Sequence, residues 1–269
     1  MIDISPPVPL MQGKRGLVMG VANDHSIAWG IARTLAAQGA ELAFTYQGDS
    51  FGKRVKPLAE SIGSSLVLPA DVQDPASLDA VFETLAAEWG SIDFLVHAIA
   101  YSDKNELKGR YVETTRANFL NTMDISCFSL TDLAKRAQSL MTEGGSIVTL
   151  TYLGAERVLP NYNVMGVAKA ALEASVRYLA EDLGTDGIRV NALSPGPMRT
   201  LAGSAVGSAR KVYGFNVRNA PLRRTASLDE VGGAALYLLS DMGGATTGET
   251  LYVDCGYHVM GMVAEENLT

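Results

Sequence analysis

Tyr162 and Lys169 stand seven residues apart in NYNVMGVAKA, Asn161 to Ala170. A phenol beside an ammonium can hold an oxyanion and manage a proton, which hydride-transfer chemistry requires. The common spacing for such a pair is four. Four residues before Lys169 stands Met165, whose thioether donates no proton. On an α-helix, seven residues make two turns less ~20°, so Tyr162 and Lys169 would share a face ~10 Å apart along the axis. A buried tyrosine near a helix start and a solvent-facing lysine would satisfy the same letters.

The elements that must position this pair follow from periodicity. Arg15–Val21, Glu41–Tyr46, Leu66–Leu68, Ile92–Ile99, Gly144–Thr151, Ile188–Leu193 and Thr250–Gly256 read as short apolar strands. Helical spacing fills Ser26–Ala37, Pro75–Trp89, about Glu113–Met141, Tyr162–Leu183 and Ser227–Leu239. Asp74 is placed to cap the second of these, with Pro75 in its first turn. Strands apolar on both faces, alternating with helices, predict an α/β fold: a doubly wound, Rossmann-like parallel sheet of about seven strands with helices on both faces. No linker or repeat divides the chain. Residues 1–12 are expected to form an N-terminal arm and residues 13–269 a single dinucleotide-binding catalytic domain.

Composition narrows the function. Among 269 residues, 22 are basic and 29 acidic, a net charge of −7, which disfavours nucleic acid or an anionic membrane as partner. Cys127 and Cys255 form no CxxC, and His25, His97 and His258 do not cluster with them, so no metal site and no disulfide framework is expected. The start, MIDISPPVPLMQG, lacks the basic and apolar regions of a signal peptide. No apolar run nears the ~18 residues that span a bilayer. The expectation is a cytoplasmic protein with no membrane insertion.

In a doubly wound sheet, ligands sit beyond the carboxyl ends of the strands. The first strand runs into Gly20, and Ser26 stands where the next helix should begin. The Ser26 hydroxyl and the first free helical N–H groups could hold a pyrophosphate. They could equally be a helix cap after a turn glycine. The second strand ends at Gln47, uncharged, able to bond a ribose but not to balance a 2′-phosphate; Lys53 and Arg54 lie nearby. Asp71-Val72 follows the third strand at an adenine edge, and His97-Ala98-Ile99-Ala100 ends the fourth.

The stretches LTYLGAERVLPNYNVMGVAKAALEASVRYLA and IRVNALSPGPMRTLA, together with GVANDHSIAWGIA, ELAFTYQ and VHAIA, resemble the bacterial enoyl-acyl-carrier-protein reductases, a divergent branch of the short-chain dehydrogenase/reductase superfamily. The resemblance runs from about Gly13 to Gly256. It implies an NADH-dependent reductase of trans-2-enoyl thioesters, active in fatty-acid elongation and assembled as a homotetramer. Hydride would go to the β-carbon. Tyr162 would bond the developing enolate oxygen and Lys169 the nicotinamide ribose. Tyr152 matches a second family tyrosine, assigned to proton transfer or to orienting substrate. Gly20, Ser26, Ile27, Gln47, Asp71, Val72, Ile99, Lys169, Met198, Arg199, Thr200, Leu201 and Ala202 match cofactor positions. Ser102, Tyr152, Tyr162 and Met165 are expected against the substrate, under a lid around residues 198–220. The spacing of seven then has a rationale: in enoyl reduction the oxyanion lies two atoms further from the hydride acceptor than in carbonyl reduction, so its donor must be displaced.

Two alternatives are a carbonyl reductase of the same fold, against which Met165 argues, and a non-catalytic nucleotide-binding sensor, which would need no Tyr/Lys pair. The lid segment Gly203–Gly214 is poorer in bulky side chains than in other members, and Ala209 falls where an aromatic is expected. Between Asp186 and Asp229 there is no acidic residue, while Arg189, Arg199, Arg210, Lys211, Arg218, Arg223 and Arg224 fall within. A basic rim of this kind would steer an acidic acyl carrier protein to the crevice. Ion pairs elsewhere in the fold are the alternative use of each cation. Arg210 and Lys211, among small residues, are expected to be the exposed ones.

Overall fold

The computed structural model describes residues 9–201, 209–263 and 265–268. Seven strands form one parallel sheet: β1 (Arg15–Met19), β2 (Glu41–Tyr46), β3 (Leu66–Pro69), β4 (Phe94–His97), β5 (Gly145–Leu150), β6 (Ile188–Pro195) and β7 (Thr250–Val253). Their order is β3-β2-β1-β4-β5-β6-β7. The order reverses between β1 and β4, which pair in parallel from Gly16↔Phe94 to Met19↔His97. The crevice of such a sheet opens at that switch point.

Successive side chains of a strand face opposite ways, and here both faces are buried. Leu17, Met19, Leu95, Ile147 and Val190 pack on one side, beneath α3 (Pro75–Trp89), α5 (Ser129–Gln138) and α6 (Asn163–Gly184). Val18, Phe44, Val96, Val148 and Leu193 pack on the other, beneath α1 (Ile27–Ala37) and α8 (Leu228–Leu239). The helices α1 and α8 cross closely. A Cβ on Gly30 would lie 2.8 Å from the Leu228 Cβ, and one on Gly232 would collide with the Thr34 hydroxyl. Gly30 thus serves helix packing, not the nucleotide loop.

Three segments depart from the periodicity. The helix α2 (Gly48–Ser61) carries Gly48, Gly52 and Pro57, which mask its period. The helical region expected at about 113–141 is α4 (Arg116–Met123), a π-helical turn (Asp124–Phe128) and α5, run end to end. Side chains brace the π turn: the Ser129 hydroxyl donates to Ile125 O (2.7 Å), a carbonyl of the turn, and the Ser126 hydroxyl donates to Tyr101 O (2.9 Å) in the loop after β4. Part of the expected lid is helix α7 (Ala209–Asn219). Of the expected arm, Met11 is fully buried and its N–H donates to Gln38 O (2.9 Å), so residue 11 is packed into the body.

Candidate active site

At the end of β1, Gly20 has φ +105°, and a Cβ there would run into the Ala98 carbonyl. Only glycine brings the two strand ends so close. Ser26 is the N-cap of α1 in extended geometry, but its side chain caps nothing. Its Oγ accepts from the N–H groups of Ala22 (3.0 Å) and Asn23 (3.1 Å). The hydroxyl therefore holds the loop, and the opening N–H groups of α1, beginning at Ile27, have no side-chain cap. An open helix N-terminus beside a strand-end cradle fits a dinucleotide pyrophosphate.

Gln47 Nε2 donates to Asp71 Oδ2 (2.9 Å), joining two positions expected from separate strand ends. The other Asp71 oxygen accepts the Gln73 N–H (3.0 Å). Val72 is half-buried between them, and Ile99 packs against the core beyond β4. These residues fit the adenosine half of NAD. Beyond β6, Met198 packs against the core, the Thr200 N–H donates to Met198 O (2.9 Å), and the Arg199 guanidinium lies 4.7 Å from the Tyr213 ring centroid. Leu201 is exposed. Ala202 lies outside the described residues.

The residues expected at the reacting end lie on α6 and on the segment between β5 and α6. Lys169 is buried, and Nζ donates to Leu150 O at the end of β5 (2.7 Å). Burial lowers its ammonium from 10.5 to about 8, against smaller opposing effects of Cys127 and Glu173. Tyr162 is not on the helix. It is the N-cap residue, between Asn161 (φ +59°) and Asn163 (φ +35°), both in the left-handed half of backbone space. The two-turn rule therefore does not set its direction; this turn does. Tyr162 meets Tyr152 edge to face, ring centroids 5.3 Å apart and planes at 71°. Burial pushes the Tyr162 hydroxyl well above its ordinary range, helped by Tyr152 and Glu173. Burial, then Tyr257 and Asp254, raises Tyr152 to about 12. Both phenols hold their protons at neutral pH and can donate to a developing oxyanion.

Gly154 makes the pairing possible, since a Cβ there would strike the Tyr162 ring. Met165 packs with Leu107, Tyr162 and Val164, with Phe119 and Leu159 alongside, so the wall beside the phenols is apolar. Ser102 lies in a polar knot: its Oγ accepts from Thr122 Oγ1 (2.9 Å) and from Asn118 Nδ2 (3.2 Å). Its side chain is engaged by protein partners rather than set among the phenols.

The sequence reading gave no role to the side chains of three buried polar residues. Thr151 and Glu173 share a 2.6 Å hydrogen bond, and His97 is fully buried. Glu173 had one signal: it interrupts an apolar helix face one turn after Lys169. His97 Nε2 meets Ser129 Oγ (2.8 Å) and Nδ1 meets Thr149 Oγ1 (2.7 Å). Ser129 spends its proton on Ile125 O, so Nε2 carries hydrogen and Nδ1 accepts from Thr149. Burial, then the Lys169 charge, lowers His97 to about 3, so the ring is neutral. It ties β4 and β5 to the start of α5.

Among the described residues no group of His, Cys, Asp or Glu could hold a metal ion, and no helix is long and apolar enough to cross a membrane.

Comparison with known proteins agrees with this geometry. Residues 20–258 match the family model described as enoyl-(acyl carrier protein) reductase. The chain is 63% identical, over 96% of its length and 97% of the relative's, to "Enoyl-[acyl-carrier-protein] reductase [NADH] 2" of Rhizobium meliloti. A crystal structure of the enoyl-(acyl-carrier-protein) reductase of Anaplasma phagocytophilum in complex with NAD superposes with a TM-score of 0.92 at 62% identity, covering 95% of this chain and 97% of that one. The Bacillus cereus enoyl-acyl carrier protein reductase, solved with NADP+ and indole naphthyridinone, gives 0.92 at 53% identity, covering 94% and 99%. A full-length match of this closeness, on a sheet that sets an open helix N-terminus, a buried lysine and two protonated tyrosines at its strand ends, places the chain in the enoyl-(acyl carrier protein) reductase family.

Proposed function

We propose that this protein reduces the trans-2 double bond of enoyl-acyl-carrier-protein thioesters with NADH, in the elongation of fatty acids. The observation that carries the reading is the edge-to-face pair Tyr152–Tyr162 beside buried Lys169, with apolar Met165 where a carbonyl reductase would hold its tyrosine. NADH, when bound, supplies the hydride to the β-carbon. Tyr162 donates a hydrogen bond to the thioester oxygen, where negative charge appears only in the transition state. Lys169 binds the nicotinamide ribose hydroxyls and adds positive charge beside that oxygen. Tyr152 lines the acyl channel with Met165 and orients the thioester. Gly20, Ile27, Gln47, Asp71 and Val72 hold the pyrophosphate and adenosine; Ser26 keeps their loop in shape.

The test follows NADH oxidation with a trans-2-enoyl thioester, with a 3-oxoacyl thioester, and with neither. Turnover with the first alone is expected. Turnover with the 3-oxoacyl substrate would make the protein a carbonyl reductase. The same assay with NADPH is expected to be weaker, because a 2′-phosphate at Gln47 would meet the Asp71 carboxylate bonded to it.

We further propose a cytoplasmic homotetramer. Leu120, Phe128 and Tyr178 are 56%, 57% and 76% exposed on helices that flank the site, faces a second copy would cover. Light scattering at micromolar concentration should give four times the chain mass; a monomer would refute this.

A further inference from the structure

Glu173 is a buried carboxylate with no part in the scheme above. It lies on α6 one turn beyond Lys169, with 7% of its surface exposed. The two side chains grip consecutive residues at the end of β5. Lys169 Nζ donates to Leu150 O (2.7 Å), and Glu173 Oε1 accepts from Thr151 Oγ1 (2.6 Å). Thr151 is itself buried, and its N–H donates to Leu193 O of β6 (2.8 Å). The next residue is Tyr152. Thr151 is thus the last residue pinned on two sides before the chain turns to present a phenol.

A leucine or methionine would fill this place at less cost. Burying a carboxylate costs more than a single neutral donor returns. Burial does push the Glu173 carboxyl up, while the Thr151 hydroxyl draws it back, as Arg177 and Lys169 do against Glu156. The bond between Glu173 and Thr151 has a positional consequence, since it fixes the strand end that carries Tyr152.

We propose that Glu173 and Thr151 form a latch that positions Tyr152, and through its ring contact Tyr162, for proton donation to the substrate oxygen. Glu173 is a positioning residue: it touches neither substrate nor cofactor and acts through Thr151. The latch is separate from the Lys169–Leu150 grip, although both spring from α6. Lys169 faces the cofactor, and Glu173 sets the strand end that carries the tyrosine. The inference rests on the proposed enoyl reduction.

The experiment compares Thr151→Val, Thr151→Ser, Glu173→Leu and Glu173→Gln in the full-length protein, measuring kcat, KM, the Kd of NADH and thermal stability. Thr151→Val and Glu173→Leu should each lower kcat about tenfold, a loss typical of small misplacements at a reacting centre. The Kd of NADH should stay unchanged in Thr151→Val, which leaves the Glu173 charge near Lys169 in place, and Glu173→Leu should melt no lower than wild type. Thr151→Ser and Glu173→Gln keep a donor and an acceptor and should recover most of the rate. The double variant Thr151→Val/Glu173→Leu should be no slower than either single one, because both break the same bond. Unchanged kcat in Thr151→Val, additive losses in the double variant, or NADH binding weakened together with kcat in Thr151→Val would each overturn the latch. If Glu173→Leu fails to fold, the Thr151→Val and Thr151→Ser pair still decides. A wild-type protein inactive on enoyl thioesters would overturn the functional reading instead. The latch would then be read from the ring signals of 13C-labelled Tyr152, which should shift in Thr151→Val and not in Thr151→Ser.

Discussion

The proposed reading gives Tyr162 and Lys169, both buried, separable tasks, and two measurements separate them. Tyr162→Phe removes only a donor to charge that forms in the transition state. It should lower kcat roughly a hundredfold, as loss of one oxyanion donor does, with NADH affinity kept. Lys169→Ala should lose rate and NADH affinity together. Comparable NADH weakening in both variants would refute the assignment. Lys169 also sets a pH dependence. In the proposed reading its ammonium form binds the ribose, and burial lowers it to about 8 in the free protein. The charged form is therefore full below that pH and is lost above it. NADH affinity should be flat at lower pH and fall as pH rises through about 8. Calorimetric titration checks this, and the break should vanish in Lys169→Met. The letters at 162 and 169 were legible in the sequence. The turn that aims Tyr162 was not, because two asparagines with positive φ leave no periodic trace.

The elements meet through glycines, and two such contacts give opposite expectations. At Gly154 an added methyl would strike the Tyr162 ring; at Gly232 it would strike Thr34, far along the chain from the catalytic residues. Overpacking of this kind costs about 1–3 kcal/mol. Urea titration should show such a loss in both Gly154→Ala and Gly232→Ala. Only Gly154→Ala should also lower kcat per folded molecule. Equal specific activity in the two variants would mean the Tyr162 ring tolerates the shift. Periodicity located most of the helices; it missed α2, with its internal Pro57, and α7, in the segment read as a lid. It did not reveal the π turn, since one extra residue in a helical run does not disturb apolar spacing enough to be seen.

For the whole molecule, charge is the feature that reaches a partner. Several cations of the acid-free stretch are used internally. Arg223 pairs with Glu266 (3.2 Å) and Arg224 with Glu230 (2.6 Å). Arg189 donates to the carbonyls of Thr246 (3.0 Å) and Ser240 (3.2 Å), and Arg199 stacks on Tyr213. Arg210 and Lys211 are exposed at the start of α7. We propose these two as the contact for acidic acyl carrier protein. Arg210→Glu with Lys211→Glu should lower kcat/KM for the carrier-linked substrate and leave a short uncharged thioester near wild type. The deficit should shrink as salt rises, since exposed charges are screened beyond ~10 Å. Equal losses on both substrates would mean that α7 itself was damaged.

The sequence by itself determined the layered parallel fold and the resemblance that points to enoyl reduction, and it singled out the strand ends expected to meet a dinucleotide. Those rest on local pattern: apolar runs, helix starts, and residue types at fixed spacing. Only the tertiary structure decided that Gln47 is bonded to Asp71, that the Ser26 hydroxyl is spent on its own loop, and that Thr151 is clasped by Glu173. Each is a contact between side chains brought together by folding. Their energies depend on distance and on exclusion of water, and neither is written along the chain.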